Sequence, residues 1–328
     1  MSPAVLDKIL SKLPRQEDPR LIVGFNHKDD AGVFRLREDL ALVQTTDFFT
    51  PIVDDPRQFG QIAAANSLSD VYAMGGEPLT ALSIVCYPED GDLGALEAIL
   101  AGGMEKMMEA ECTVVGGHMV RDSSVKFGYA VTGTVDPKCI WTNMGAKPGD
   151  VLILTKQIGT GVIATAIRAG KAEISWIEAA IRVMSQLNRA AAAALSPMRH
   201  AVHAVTDVTG FGLLGHALEM ATSSGVSLRL NASRIELIHG ALECVRGGFI
   251  AGGLKKNREY VGECAKFSGN ISSETQNLLF DPQTSGGLLV AVPAELAQEA
   301  CSKLSSAGCM PAQIGEVIGK TSPPIEIC

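Results

Sequence analysis

A two-part α/β or α+β fold is predicted by three features of the sequence. Strand-like runs interleave with stretches of helical periodicity in both halves. A turn, Lys147-Pro148-Gly149-Asp150, is followed at once by the buried-strand run Val151-Leu152-Ile153-Leu154. The chain has 328 residues, 46% of them hydrophobic, which is long for one core and comfortable for two. The expected units are therefore 1–146 and 147–328.

The elements follow in order. Ser2-Pro3, then Leu6, Ile9, Leu10 and Leu13, reads as a capped amphipathic helix. Ala41–Phe49 is a strand candidate. Asp55-Pro56 opens a helix that Gly75-Gly76 stops before Pro78. A strand over Leu82–Cys86, a helix over Leu96–Met108 and strands near Val114 and over Phe127–Val135 complete the first unit. The second unit is expected to hold the strand from Val151 and an Ala-rich helix over about 177 to 195. The strand Ala201–Val205, a helix over Phe211–Ala221 and the strand Leu288–Val292 follow.

Composition narrows the function classes. Net charge is −8, with 28 basic against 36 acidic residues and no block of Lys or Arg. That argues against nucleic acid or an anionic membrane surface as partner. An acidic chain can still take an anionic nucleotide through a metal. No apolar run approaches the ~20 residues of a membrane span, and Met1-Ser2-Pro3-Ala4 lacks a signal-peptide pattern. Eight cysteines are scattered without a Cys-x-x-Cys pair, which reads as reduced structural thiols and a cytoplasmic protein.

The chemistry-bearing residues are aspartates and glycines. On the helix from Pro56, Asn66 and Asp70 fall on the same face as Phe59, Ile62 and Ala63. A carboxylate on a buried face is costly unless paired or metal-bound; Asp70 is either a metal ligand or a structural partner of a loop or an arginine. Asp29-Asp30, Asp47 and Asp207 stand at the ends of expected elements, where a single Asp is usually a turn or cap residue. Together they suggest hard oxygen ligands, dispersed as Mg²⁺–nucleotide sites disperse them. Gly116-Gly117-His118 and Thr284-Ser285-Gly286-Gly287 are turns whose N–H groups could approach phosphate, although Gly-Gly is more often a plain turn.

Gly210-Phe211-Gly212-Leu213-Leu214-Gly215 matches G-x-G-x-x-G literally but fails as a dinucleotide fingerprint. Asp207 stands three residues before its first glycine, and no acid follows about twenty residues on, since Leu228 to Asn231 has none. No G-x-x-x-x-G-K-[ST] occurs either.

Taken together these segments resemble the selenide, water dikinase (selenophosphate synthetase) family. The resemblance is carried by Asp29–Val33, Thr45–Asp54, Asn66–Gly76, Gly116–His118, Thr206–His216 and Asp281–Leu288, in family order from residue 2 to about 320. It implies the fold of the aminoimidazole ribonucleotide synthetase-like ATP-binding superfamily. A ferredoxin-like N-terminal sheet domain would dimerise, and a C-terminal α/β domain would complete the nucleotide site. It further implies Asp30, Asp70 and Asp207 as Mg²⁺ ligands, Asp70 also lying against the nucleotide. His27, Lys28, Asp29 and Asp47 would hold ATP, and Gly116, Gly117, His118 and Met119 would reach it across a homodimer interface. The implied reaction turns ATP, selenide and water into selenophosphate, AMP and phosphate.

The family pattern also has a Gly-rich loop bearing Cys or selenocysteine, then Lys, immediately before the segment that here begins at Met1. The expectation is a longer natural protein and a chain that, as given, binds Mg²⁺·ATP without making selenophosphate. Two rival readings are another kinase of the superfamily, such as a thiamine-monophosphate kinase, and a non-catalytic nucleotide-binding paralogue.

Overall fold

In the computed structural model, which describes residues 17–24 and 29–328, each part of the chain is built on its own sheet. The first comprises β1 (Leu21–Val23), β2 (Gly32–Arg37), β3 (Leu40–Phe49), β4 (Glu77–Tyr87), β5 (Thr113–Arg121) and β6 (Lys126–Val135), ordered β1-β2-β3-β6-β4-β5. Only the β4–β5 pair is parallel. Helices α1 (Pro56–Ala73) and α2 (Leu93–Glu109) lie side by side, with α1 packed on β3 and β6. The amphipathic helix expected over residues 2–13 lies outside the described residues.

Helix α1 begins where the sequence says it should. The Asp55 carboxylate accepts from the Gln58 N–H at 2.8 Å, and Pro56 occupies the first turn. It ends at Gly75, whose φ of +71° suits glycine, with the Gly76 N–H bonded back to the Val71 carbonyl. One apolar face was expected; instead α1 is buried nearly all round. The sheet takes one side, α2 another, and the second part of the chain covers the rest. That is why polar Asn66, Ser67 and Ser69 lie inside.

The second sheet contains β7 (Asp150–Leu154), β8 (Ala204–Asp207), β9 (Ser227–Leu230), β10 (Ala265–Phe267), β11 (Leu288–Pro293), β12 (Ala312–Ile318) and β13 (Ile325–Ile327). Their order is β10-β13-β9-β12-β7-β11-β8. Helices α3 (Thr160–Arg168), α4 (Ile174–Ser185), α5 (Arg189–Leu195), α6 (Gly212–Ser224), α7 (Ala241–Arg246), α8 (Gly252–Val261), α9 (Ser273–Phe280) and α10 (Ala294–Ser306) complete it. One core cluster runs continuously from the first sheet into the second part of the chain, and another fills the rest of the second part.

Two expected elements are corrected. The Ala-rich helix over 177 to 195 is two helices, α4 and α5, broken at Gln186 and Asn188. There the Gln186 carbonyl accepts from the Lys156 ammonium at 2.6 Å, and the Asn188 amide reaches Ser69. These tertiary hydrogen bonds outweigh alanine's helix propensity. The strand expected from Ala201 begins at Ala204, because Ser196–Ala201 forms a 3₁₀ turn. All eight cysteines are free thiols. Among the described residues, no helix is long and apolar enough to cross a membrane.

Candidate active site at the seam of the two sheets

β8 is the edge strand of the second sheet and lies against α1. This contact brings together acids that are 177 positions apart. Asp207, at the end of β8, is 1% exposed, and its carboxylate accepts from the Ser69 hydroxyl on α1. One turn-neighbour along, Asp70 accepts from the Thr45 hydroxyl of β3. Asp47, two residues further on β3, accepts from the Asn66 amide, while its main-chain carbonyl accepts from Ser67 Oγ at 2.9 Å. Asp30 accepts from Thr206 Oγ1 at 2.8 Å through one oxygen; its other oxygen, Oδ2, is buried without a partner. Asp29 accepts from the N–H groups of Asp30 and Asn143, each at 3.1 Å.

The charges are mutually unfavourable. Burial first, then repulsion from Asp207, Asp29 and Asp70, pushes the Asp30 carboxyl well above the usual carboxylate range. Burial, then Asp207, does the same to Asp70. Asp47 and Asp207 are also raised, chiefly by burial. The buried cation nearby is Lys156, whose ammonium donates to two carbonyls, Gln186 and Ser285 (2.8 Å), and whose burial lowers it to about 7. Carboxylates gathered without matching cations call for a positive ion from outside. Their side chains offer only oxygen, and Asp30 Oδ2 is an open donor, so a hard divalent cation fits the set. Among the described residues, no three His, Cys, Asp or Glu side chains already form a closed metal-binding group. An ion here would therefore need bridging waters or phosphate oxygens, as Mg²⁺ commonly does.

Of the anticipated residues, the structure gathers Asp29, Asp30, Asp47, Asp70 and Asp207. His27 and Lys28 lie outside the described residues. Gly116–Met119 lie on exposed edge strand β5, with Gly116 at φ +152°; no hydrogen bond among the described residues ties them to the aspartates. Sequence reasoning missed the residues that hold the acids in place. Thr45, Ser69 and Thr206 each bond a carboxylate. The Asn66 side-chain oxygen Oδ1 accepts from the Ser285 N–H at 2.7 Å, and the Asn188 side-chain amide donates to Ser69 Oγ (2.8 Å) and the Gly286 carbonyl (2.9 Å). The repeated pairing of Ser or Thr next to Asp, in Ser69-Asp70 and Thr206-Asp207, was the available signal.

Two family models match the chain: AIR synthase related protein, N-terminal domain, over residues 28–135, and its C-terminal domain over 147–326. The chain therefore belongs to the AIR synthase related proteins, with their two-part α/β fold. Within that class it belongs to the selenide, water dikinase family, and it is a phosphotransferase. It is 48% identical to the selenide, water dikinase of Clostridioides difficile (strain 630), over 98% of this chain and 92% of that one. It is also 48% identical to that of Myxococcus xanthus (strain DK1622), over 95% and 89%. Solved structures share the fold at low identity. Thiamine-monophosphate kinase from Stenotrophomonas maltophilia K279a superposes with a TM-score of 0.70 at 19% identity, covering 99% of this chain and 95% of its own. Hydrogenase maturation protein HypE in complex with ATP gives 0.63 at 19%, over 98% and 88%.

Proposed function

We propose that the protein makes selenophosphate from ATP, selenide and water, releasing AMP and phosphate. The convergence of Asp30, Asp47, Asp70 and Asp207 at the seam carries this reading, supported by relatives named for the reaction. Asp30, Asp70 and Asp207 would hold Mg²⁺, which when bound supplies positive charge against the triphosphate. Asp47, with Asn66 fixing its carboxylate, would orient the nucleotide together with the 27–29 segment. The Asn66–Ser285 and Asn188–Ser69 bonds join the units 1–146 and 147–328, so the groups that grip ATP keep one geometry.

The same reading includes a cytoplasmic homodimer. On the face of the first sheet away from α1, Phe48, Leu82 and Val115 are between 43% and 61% exposed, beside the open edge of β5. A symmetric partner there would cover the apolar residues and bring Gly116–Met119 toward the other nucleotide.

Phosphorus NMR of the protein with Mg²⁺, ATP and selenide should show selenophosphate, AMP and phosphate. Conversion of thiamine monophosphate to the diphosphate, with no selenide-dependent product, would replace this reading with the other kinase.

A further inference from the structure

We propose that a second, separate small-molecule site lies behind the catalytic seam and takes an aromatic compound carrying an oxyanion. A cavity of about 440 Å³ opens where the end of α1 meets α5 and the 3₁₀ turn after it. That volume is within the range of ordinary ligand pockets. Tyr72 faces this cavity, and Asp70 faces the aspartate cluster, about 200° apart around the helix. The two sites therefore occupy opposite sides of one helical turn.

Four residues give the cavity its chemistry. The Tyr72 ring is 3% exposed, and its buried hydroxyl has no hydrogen-bond partner. Arg199 donates through Nε and Nη2 to the carbonyl and hydroxyl of Ser196 alone, and forms no salt bridge among the described residues. Arg189 is a fixed wall, tied to the Glu109 carbonyl (2.6 Å) and the Glu111 carboxylate (2.7 Å). Trp141, 5% exposed, supplies a flat apolar surface and is held by its indole N–H on the Arg199 carbonyl at 3.3 Å. An unsatisfied phenol and a guanidinium without a carboxylate both await an oxygen acceptor, and a charged acceptor satisfies both best. Glu77 and Glu111 line the same cavity and oppose bare anions, so binding also requires a ring against Trp141.

The coupling route is short. Gly75, at φ +71°, packs beneath Trp141, with its side-chain position 3.1 Å from the indole. The Asp70 carbonyl receives the Met74 N–H at 3.0 Å. A ligand that shifts Trp141 presses on the turn that carries Asp70.

Only two tryptophans occur, Trp141 and Trp176, so Trp176→Phe leaves a reporter inside the cavity. Phenyl phosphate is the probe and inorganic phosphate the control. Phenyl phosphate should change Trp141 fluorescence saturably, with calorimetry on the unsubstituted chain giving the same Kd. Arg199→Ala and Tyr72→Phe should each weaken binding, the former about tenfold. Tyr72→Phe removes a single oxygen, so circular dichroism should show it folded. A response that never saturates, that inorganic phosphate reproduces, or that survives both substitutions overturns the proposal.

Discussion

Asp70 shows what the proposed site would cost a single carboxylate. Its neighbours Asp207 and Asp47 repel it, and burial disfavours its charge. Asp70→Asn retains an oxygen for the Thr45 hydroxyl while removing one negative charge. The variant should melt at a higher temperature than the parent without metal, yet lose Mg²⁺-dependent ATP binding by calorimetry. Unchanged affinity would remove Asp70 from the site. Asp281 is a different case, buried for structure. Its carboxylate accepts from the N–H groups of Gly161 (2.9 Å) and Val162 (3.1 Å) at the start of α3, and burial pushes it up to about 7. Between 3.8 and about 7 the folded state keeps a proton that the unfolded chain has released. Stability should therefore fall as pH rises through that window, by a few kcal/mol at most. Urea melts of Asp281→Asn should lack this decline.

Among elements, the α1–α2 pair depends on close approach. A Cβ on Gly60 would stand 2.0 Å from the Ile99 carbonyl oxygen, and one on Gly102 would stand 2.0 Å from that of Arg57. Neither obstacle is a flexible side chain, so the helices must separate to admit a methyl group. Gly102→Ala should cost about 1–3 kcal/mol despite alanine's higher helix propensity. Chemical denaturation would reveal it, and a neutral or stabilising result would mean the pair can slide. In sequence alone a glycine inside a helix reads only as a weakening residue. The purpose of Gly60 and Gly102 required the neighbouring helix. Likewise the turn chemistry of α1, from Asp55-Pro56 to Gly75-Gly76, could be read locally because caps act within one turn. The break between α4 and α5 could not, since its hydrogen-bond partners are Lys156, Ser69 and Gly286.

At the scale of the molecule, the proposed homodimer would form on the uncovered face of the first sheet. Leu82 is 49% exposed and Val115 61%, and β5 leaves one edge unpaired. Light scattering at micromolar concentration should give twice the chain mass of 34.5 kDa, and Leu82→Asp should shift it to monomer. A monomeric parent would refute the dimer. The sequence alone was enough for the two-part α/β class, for the family, and for five aspartates that the fold brings to one seam. Hydrophobic period, turn residues and contiguous motifs are local signals that need no partner to be read. Only the tertiary structure decided how those aspartates are held. Asn66 bonds both Asp47 and Ser285, the latter 219 positions away, and Ser69 joins Asp207 to Asn188. It also decided that α1 is enclosed on nearly every side. Burial and long-range hydrogen bonding arise when separate elements meet, so no local window of the chain contains them.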